Sequence, residues 1–164
     1  MTTPDDKALR QRAYEVAAAV VDPELPMLTI ADLGILRDVT VDNGMVEVAI
    51  TPSYSGCPAM MMITADIEAA LARAGFSNSR VRTVLSPAWT SDWLTGAARA
   101  KLAAAGIAPP SGAPRRTLFG AASVSCPHCG SNRTERISEF GSTACKALYR
   151  CLDCREPFDA FKCH

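Results

Sequence analysis

The 164-residue sequence is poor in histidine: it has two, His128 and His164, so none precedes residue 128. A Cys-His or Ser-His nucleophile pair therefore cannot be assembled upstream of that point, which sets aside hydrolase and protease chemistry there. Long apolar runs are also missing. The most hydrophobic stretches are Ala- and Met-rich, broken by polar residues, and far short of the ~20 residues needed to cross a bilayer. The segment from Met1 to Gln11 has no basic region followed by an apolar one and so does not read as a secretory leader. These absences lead us to expect a cytoplasmic chain with no membrane partner. Net charge is zero, with 17 basic and 17 acidic side chains. Residues 1–114 hold 9 basic and 12 acidic groups and residues 115–164 hold 8 and 5, giving about -3 and +3. Neither part has the dense basic patch that phosphate neutralisation requires, so no nucleic-acid partner is expected. No glycine-rich nucleotide loop and no Glu-x-x-His pair for a di-iron centre occurs.

What the chain does have is cysteine, seven in all. In a reducing compartment an odd set of thiols points to metal ligation or reactive thiols rather than disulfides. Cys126-Pro-His-Cys129 and Cys151-Leu-Asp-Cys154 form two CxxC pairs. Each can fold into a turn that aims two thiolates at one ion, and two such turns complete a tetrahedron. We expect a structural zinc site on Cys126, Cys129, Cys151 and Cys154, since four thiolates leave no open position for water. Iron or an iron-sulfur cluster fits the same ligand types. A domain of this size buries too little apolar surface to fold unaided, and a metal clamp compensates. Cys145, Cys163 and His164, with His128, are spare ligand candidates whose plainer roles are a buried thiol, a chain end and a solvated ring.

Upstream, Thr3-Pro4-Asp5-Asp6 reads as a helix start. Leu9, Ala13, Val16, Ala17 and Val20 then recur at helical spacing over Asp5 to Val21. Asp22-Pro23-Glu24-Leu25-Pro26 stops that helix, because proline restricts the residue before it and lacks a donor. Ile35 to Val41 and Val46 to Ile50 alternate across Asn43-Gly44 as a hairpin. Pro58 to Ala74 predicts a second helix, with Met61 on its apolar face and Met60 to Met62 serving packing. Val81 to Leu85 predicts a third strand and Ser91 to Ala105 a third helix. Trp89 and Trp93, four residues apart, are expected to anchor a core. The fold class is thus α+β: an α-β-β-α-β-α domain over residues 1–107, a Pro- and Gly-rich linker over 108–122, and a zinc-ribbon β domain over 123–164.

Cys57 stands apart. It follows Gly56 and precedes Pro58, which suggests an N-cap whose helix dipole would lower the thiol pKa. Burial under a helix end is the plainer alternative. Asp22 and Glu24 lie in another loop able to converge on it.

Asp22-Pro-Glu-Leu-Pro26, Asp32-Leu-Gly34, Thr51-Pro-Ser-Tyr-Ser-Gly-Cys-Pro58 and Ser86-Pro-Ala-Trp-Thr-Ser-Asp-Trp93 resemble the metal-sulfur cluster assembly domain family. Adding Gly106-Ile-Ala-Pro-Pro110 and Phe140-Gly-Ser-Thr-Ala-Cys-Lys-Ala-Leu-Tyr-Arg-Cys151 makes the chain similar to the accessory-subunit family of phenylacetyl-CoA epoxidase. That resemblance implies a bacterial system in which a di-iron oxygenase and an iron-sulfur flavin reductase epoxidise the ring of phenylacetyl-CoA during aerobic phenylacetate breakdown. It implies an accessory protein rather than an enzyme, assisting assembly or maintenance of iron or iron-sulfur centres in those two components. A transient iron or cluster would be handled at Cys57, with help from Asp22, Glu24 and Thr51. A homodimer is left open. Two other readings stand beside this one: a structural scaffold subunit of the oxygenase, and a nucleic-acid-binding zinc ribbon.

Overall fold

A computed structural model describes residues 4–110 and 124–162. Its contacts divide the chain into two compact units, Met1–Trp89 and Thr90–His164. In the first unit, helix α1 (Pro4–Ala18) leads through the Asp22 loop to strands β1 (Leu36–Asp42) and β2 (Met45–Ile50). These pair antiparallel, with Val39 opposite Val48 and Val41 opposite Val46. The turn between them uses Asn43 and Gly44, both at positive φ, the conformation that an Asn-Gly hairpin turn demands. Helix α2 (Ala59–Arg73) then crosses over to β3 (Ser79–Thr83), which lies parallel to β2, so the sheet order is β1-β2-β3.

Alternation sorts the sheet into two faces. Val39, Val46, Val48 and Ile50 are buried beneath the helices, which supply Ala13 and Ala17 from α1 and Ile63, Ile67 and Leu71 from α2. On the other face Glu47 is paired with Arg80 and Arg82 from the adjacent strand. The expected apolar face of α2 is correct in its later residues but not at its start. Ala59, Ile63, Ile67 and Leu71 form the buried stripe, whereas Met61 and Met62 are 83% and 58% exposed and do not pack in the core. Met61 lies two positions before Ile63, about 200° around the helix, so it must face away from the core that Ile63 enters. Trp89 anchors as expected, buried with its indole N–H donating to Leu33 O at 2.8 Å.

In the second unit the stretch expected as one helix from Ser91 to Ala105 is two elements. A 3-10 turn over Ser91–Trp93 is capped by Thr90, and α3 (Gly96–Ala104) is capped by Thr95, whose Oγ1 accepts from the Ala98 amide at 3.0 Å. Leu94 between them is extended and buried. Two threonine caps thus outweigh the helical tendency of the alanines. Strand β4 (Ile107–Ala108) follows and pairs parallel with β7 (Pro157–Phe161). The remaining strands, β5 (Thr134–Ser138) and β6 (Lys146–Cys151), complete a sheet of order β4-β7-β6-β5. The boundary expected at residue 107 therefore falls within β4, a strand of the ribbon sheet. Most of the expected linker, together with Cys163 and His164, lies outside the described residues.

Ala108 packs in one core with Cys126, Cys151, Phe158 and Ala160. An Ala108→Asp substitution would bury a carboxylate there, at a cost of several kcal/mol. We expect this variant to lose ribbon metal to a mild chelator at least tenfold faster than wild type, although Ala108 is not a ligand. Ala100→Glu, on the exposed side of α3, is expected to release metal at the wild-type rate in the same colorimetric assay.

Candidate metal sites

The ribbon site is built by two turns of matching geometry. Cys126 and Cys129 lie in the turn preceding β5, and Cys151 and Cys154 lie at and just beyond the end of β6. The Cys126 amide donates to Ser131 O at 2.8 Å and the Cys151 amide to Glu156 O at 3.0 Å, so each turn is closed at the same spacing. In each turn the residue after the second cysteine is left-handed: Gly130 at φ 75° and Arg155 at φ 65°. This bend brings backbone amides onto sulfur. The His128 amide donates to Cys126 Sγ at 3.4 Å, and those of Ser131, Asp153 and Glu156 serve Cys129, Cys151 and Cys154.

Across the two turns, Cys126 Sγ and Cys154 Sγ lie 3.7 Å apart and Cys129 Sγ and Cys151 Sγ 3.6 Å apart. All four sulfurs fall within 4.8 Å of one another. A tetrahedral ion with metal–sulfur bonds of ~2.3 Å requires sulfur–sulfur edges of about 3.8 Å, so the donor set fits a single ion. A polynuclear cluster would need thiolates further apart, because each would bind a different iron. Protonation is unequal among these thiols. The Cys154 amide, ahead of the Asp153 amide and the neighbouring thiols, holds Cys151 down at about 6. Cys154 is pushed up to about 12; the Glu156 amide favours its thiolate, but burial and its three thiol neighbours oppose it. A bound cation would remove this conflict by stabilising all four thiolates.

The spare candidates are placed elsewhere. Cys145 is buried with its Sγ 3.0 Å from Thr143 Oγ1, outside the four-sulfur group. The His128 ring stands edge-on to Phe158, which in turn stacks on Tyr149. The segment Phe140 to Cys151 is held by polar contacts. Ser142 Oγ donates to Asp159 Oδ2 at 2.7 Å, and the buried Lys146 ammonium lies 3.5 Å from the same oxygen. Any side chain at Gly141 would overlap Asp159 Oδ1, so only glycine fits there.

The second candidate site belongs to the first unit, at the end of the sheet where the parallel strands β2 and β3 finish and α2 begins. This is where crossover folds leave a crevice. Thr51 continues β2 and is buried. Its amide donates to Ile35 O, and its hydroxyl has no hydrogen-bond partner among the described residues. Tyr54 to Cys57 makes a turn closed by the Cys57 amide on Tyr54 O at 3.2 Å, with Gly56 at φ 78° in the position that needs positive φ. Cys57 is half-buried and is not the helix cap: that position is Pro58, which makes no side-chain cap bond. Nor is its thiol acidified. Burial pushes it above its ordinary value, and the Glu24 carboxylate adds to the rise. The Ala59 amide and the Ser53 and Tyr54 side chains pull the other way without prevailing.

The expected convergence of Glu24 on Cys57 is thus present as an electrostatic contact, whereas Asp22 has a different role. Its buried carboxylate accepts from the Glu24 and Leu25 amides at 2.8 and 2.9 Å, which folds the loop and presents Glu24. Burial raises its pKa, and those two amides oppose the rise.

A cysteine-bearing strand-end crevice in one unit and a four-thiolate ribbon in the other define the class: an iron-sulfur cluster assembly domain joined to a zinc β-ribbon. Residues 10–84 match the model for the iron-sulfur cluster assembly protein family, and residues 110–162 match that for the PaaD zinc beta ribbon domain. The chain is 49% identical, over 92% of its length and 90% of the relative's, to an Escherichia coli (strain K12) protein named as a 1,2-phenylacetyl-CoA epoxidase subunit. It belongs to the PaaD family of phenylacetyl-CoA epoxidase subunits. A shorter likeness, 31% identity over 59% of this chain and 96% of the relative, is to the Fe-S protein maturation auxiliary factor YitW of Bacillus subtilis (strain 168). Among solved structures, a domain of unknown function DUF59 from Bacillus anthracis superposes with a TM-score of 0.56 at 29% identity. That match covers 60% of this chain and 94% of the other.

The left-handed bends and the Cys57 environment are each open to test. Arg155→Gly relieves a left-handed side chain and is expected to stabilise the metal-loaded ribbon by up to about 1 kcal/mol, while Gly130→Ala costs about the same. Chemical denaturation of the two variants measures both. Cys57 should alkylate slowly at neutral pH and speed up only above the ordinary thiol range. Glu24→Gln should shift that midpoint downward, because it removes the negative charge that disfavours the thiolate. Site-resolved mass spectrometry across a pH series reads both effects.

Proposed function

We propose that this protein assists the assembly or maintenance of iron or iron-sulfur centres in the phenylacetyl-CoA epoxidase system, with Cys57 as the residue that takes and releases the metal. The observation that carries this reading is the meeting of Glu24 with the half-buried Cys57 thiol at the strand-end crevice. It occurs in a chain related both to an epoxidase subunit and to Fe-S maturation factors. A thiol that is protonated when free gives up its proton on binding a cation and recovers it on release. Such a site loads and unloads more readily than a closed four-thiolate cage. Glu24 is the residue that favours cation entry beside the sulfur. Asp22 orders its loop, and the unpartnered Thr51 hydroxyl is a further oxygen at the same strand end. The ribbon cysteines Cys126, Cys129, Cys151 and Cys154 would hold one zinc ion, whose chemistry there is structural. The clients would be the oxygenase and the iron-sulfur flavin reductase.

A scaffold subunit without metal transfer is a second reading, favoured by the designation of the Escherichia coli relative as a subunit. Anaerobic metal analysis with absorption spectra of wild type, Cys57→Ala and Cys126→Ala separates the two. Under the maturation reading, zinc is lost only in Cys126→Ala. Iron uptake is lost only in Cys57→Ala, with at least a tenfold fall in metal loading of the epoxidase in cells. Full epoxidase metallation in a Cys57→Ala strain, together with an intact stoichiometric complex, would select the scaffold.

A further inference from the structure

Large apolar side chains surround Cys57 where a free surface would ordinarily be polar. Met61, one helical turn beyond Cys57 and so on the same side of α2, is 83% exposed, and Met62 is 58% exposed. Leu85, 70% exposed, follows Val84, whose amide donates to Ile50 O, so Leu85 stands beside Thr51 at the same sheet end. The surroundings are also short of charge. No Asp, Glu, Lys or Arg occurs between Glu47 and Asp66, or between Arg82 and Asp92. The first turn of α2 has no acidic residue, although acids there would stabilise the helix dipole. Within the segments that meet at this end, Glu24 is the charged group whose field reaches Cys57. Exposed apolar groups clustered around a reactive atom mark a contact surface, and methionine adapts to varied partners.

We infer that Met61, Met62 and Leu85 form the rim on which a client protein docks to receive or surrender metal at Cys57. This rests on the reading of Cys57 given above. The occupant is a polypeptide presenting an uncharged apolar margin around its own metal-binding side chains. A small ligand or free ion would gain nothing from side chains this exposed, whereas an apolar protein surface covers them and removes water from the Cys57 sulfur during transfer. Because the rim is uncharged, docking is driven by apolar burial and changes little with salt.

The test measures binding of the full-length protein to each purified epoxidase component, oxygenase and reductase, in metal-free and metal-loaded form. Wild type, Cys57→Ala and the triple variant Met61→Ser/Met62→Ser/Leu85→Ser are compared at low and high salt. We expect one component to bind wild type and Cys57→Ala within about threefold of each other, to bind the triple variant at least tenfold more weakly, and to respond little to salt. Hydrogen exchange on wild type should show protection at residues 57–62 and 84–86 when that component is added, which does not depend on how the triple variant folds. Unchanged affinity of the triple variant, no binding of wild type to either component, strongly salt-dependent binding, or a rim that mediates self-association instead would each overturn the inference. Failure of Cys57→Ala to alter epoxidase metallation would overturn the metal-handling reading alone, since the rim is judged by affinity and protection.

Discussion

Four sulfur atoms within 4.8 Å of one another cannot all be charged unless a cation lies among them, and the second unit depends on that constraint. Its core is small, with Ala108, Cys126, Cys151, Phe158 and Ala160 at its centre. Two of those five residues are themselves ligands, so the apolar core and the ion site are one object. The amides that approach sulfur, the left-handed bends at Gly130 and Arg155, and the pairing of β6 with both neighbours all take their geometry from the two turns closing on a common centre. Without the ion the thiols share protons unevenly, with Cys151 acidic and Cys154 strongly basic, and the turns lose what holds them together.

The first unit is ordered by packing instead. Alternating valines under two helices make a conventional core, and the crossover from β2 through α2 to β3 places a loop, a helix start and two strand ends at one edge. Cys57 occupies that edge by virtue of the Gly56 turn, and Glu24 reaches it because Asp22 folds its own loop inward. The two units therefore hold cysteine in opposite chemical conditions: a closed thiolate cage that retains its ion, and a single uncharged thiol that must shed a proton to take one.

Much of this was legible in the sequence. Cys-x-x-Cys spacing specifies ligand geometry directly, and the Asn43-Gly44 turn fixes the hairpin through its φ requirement, so both were readable from a few residues. The departures occurred where context decides. Thr90 and Thr95 interrupt an alanine-rich helix by offering side-chain oxygens, a local competition that periodicity does not register. Met61 has the composition of a core residue, yet its angular position relative to Ile63 sends it into solvent. Cys57 sits where a helix dipole would acidify it, but burial and a carboxylate from a distant loop reverse the sign. The left-handed Arg155 had a signal that could have been used, since it occupies the place after its CxxC that glycine fills after the other.

Strand β4 precedes the ribbon's first cysteine and yet lies in the ribbon sheet, beside β7. The natural seam for protein engineering is therefore not the proline-rich stretch around residue 110 but the neighbourhood of Trp89. A ribbon transplanted from residue 123 onward would arrive with a bare edge at β7 and without Ala108 in its core. A transplant beginning near Thr90 would bring the capped 3-10 turn, α3 and β4 with it. Recombination between families that share only the cluster-assembly half would face the same restriction, since the exchangeable block is longer than the cysteine motif suggests.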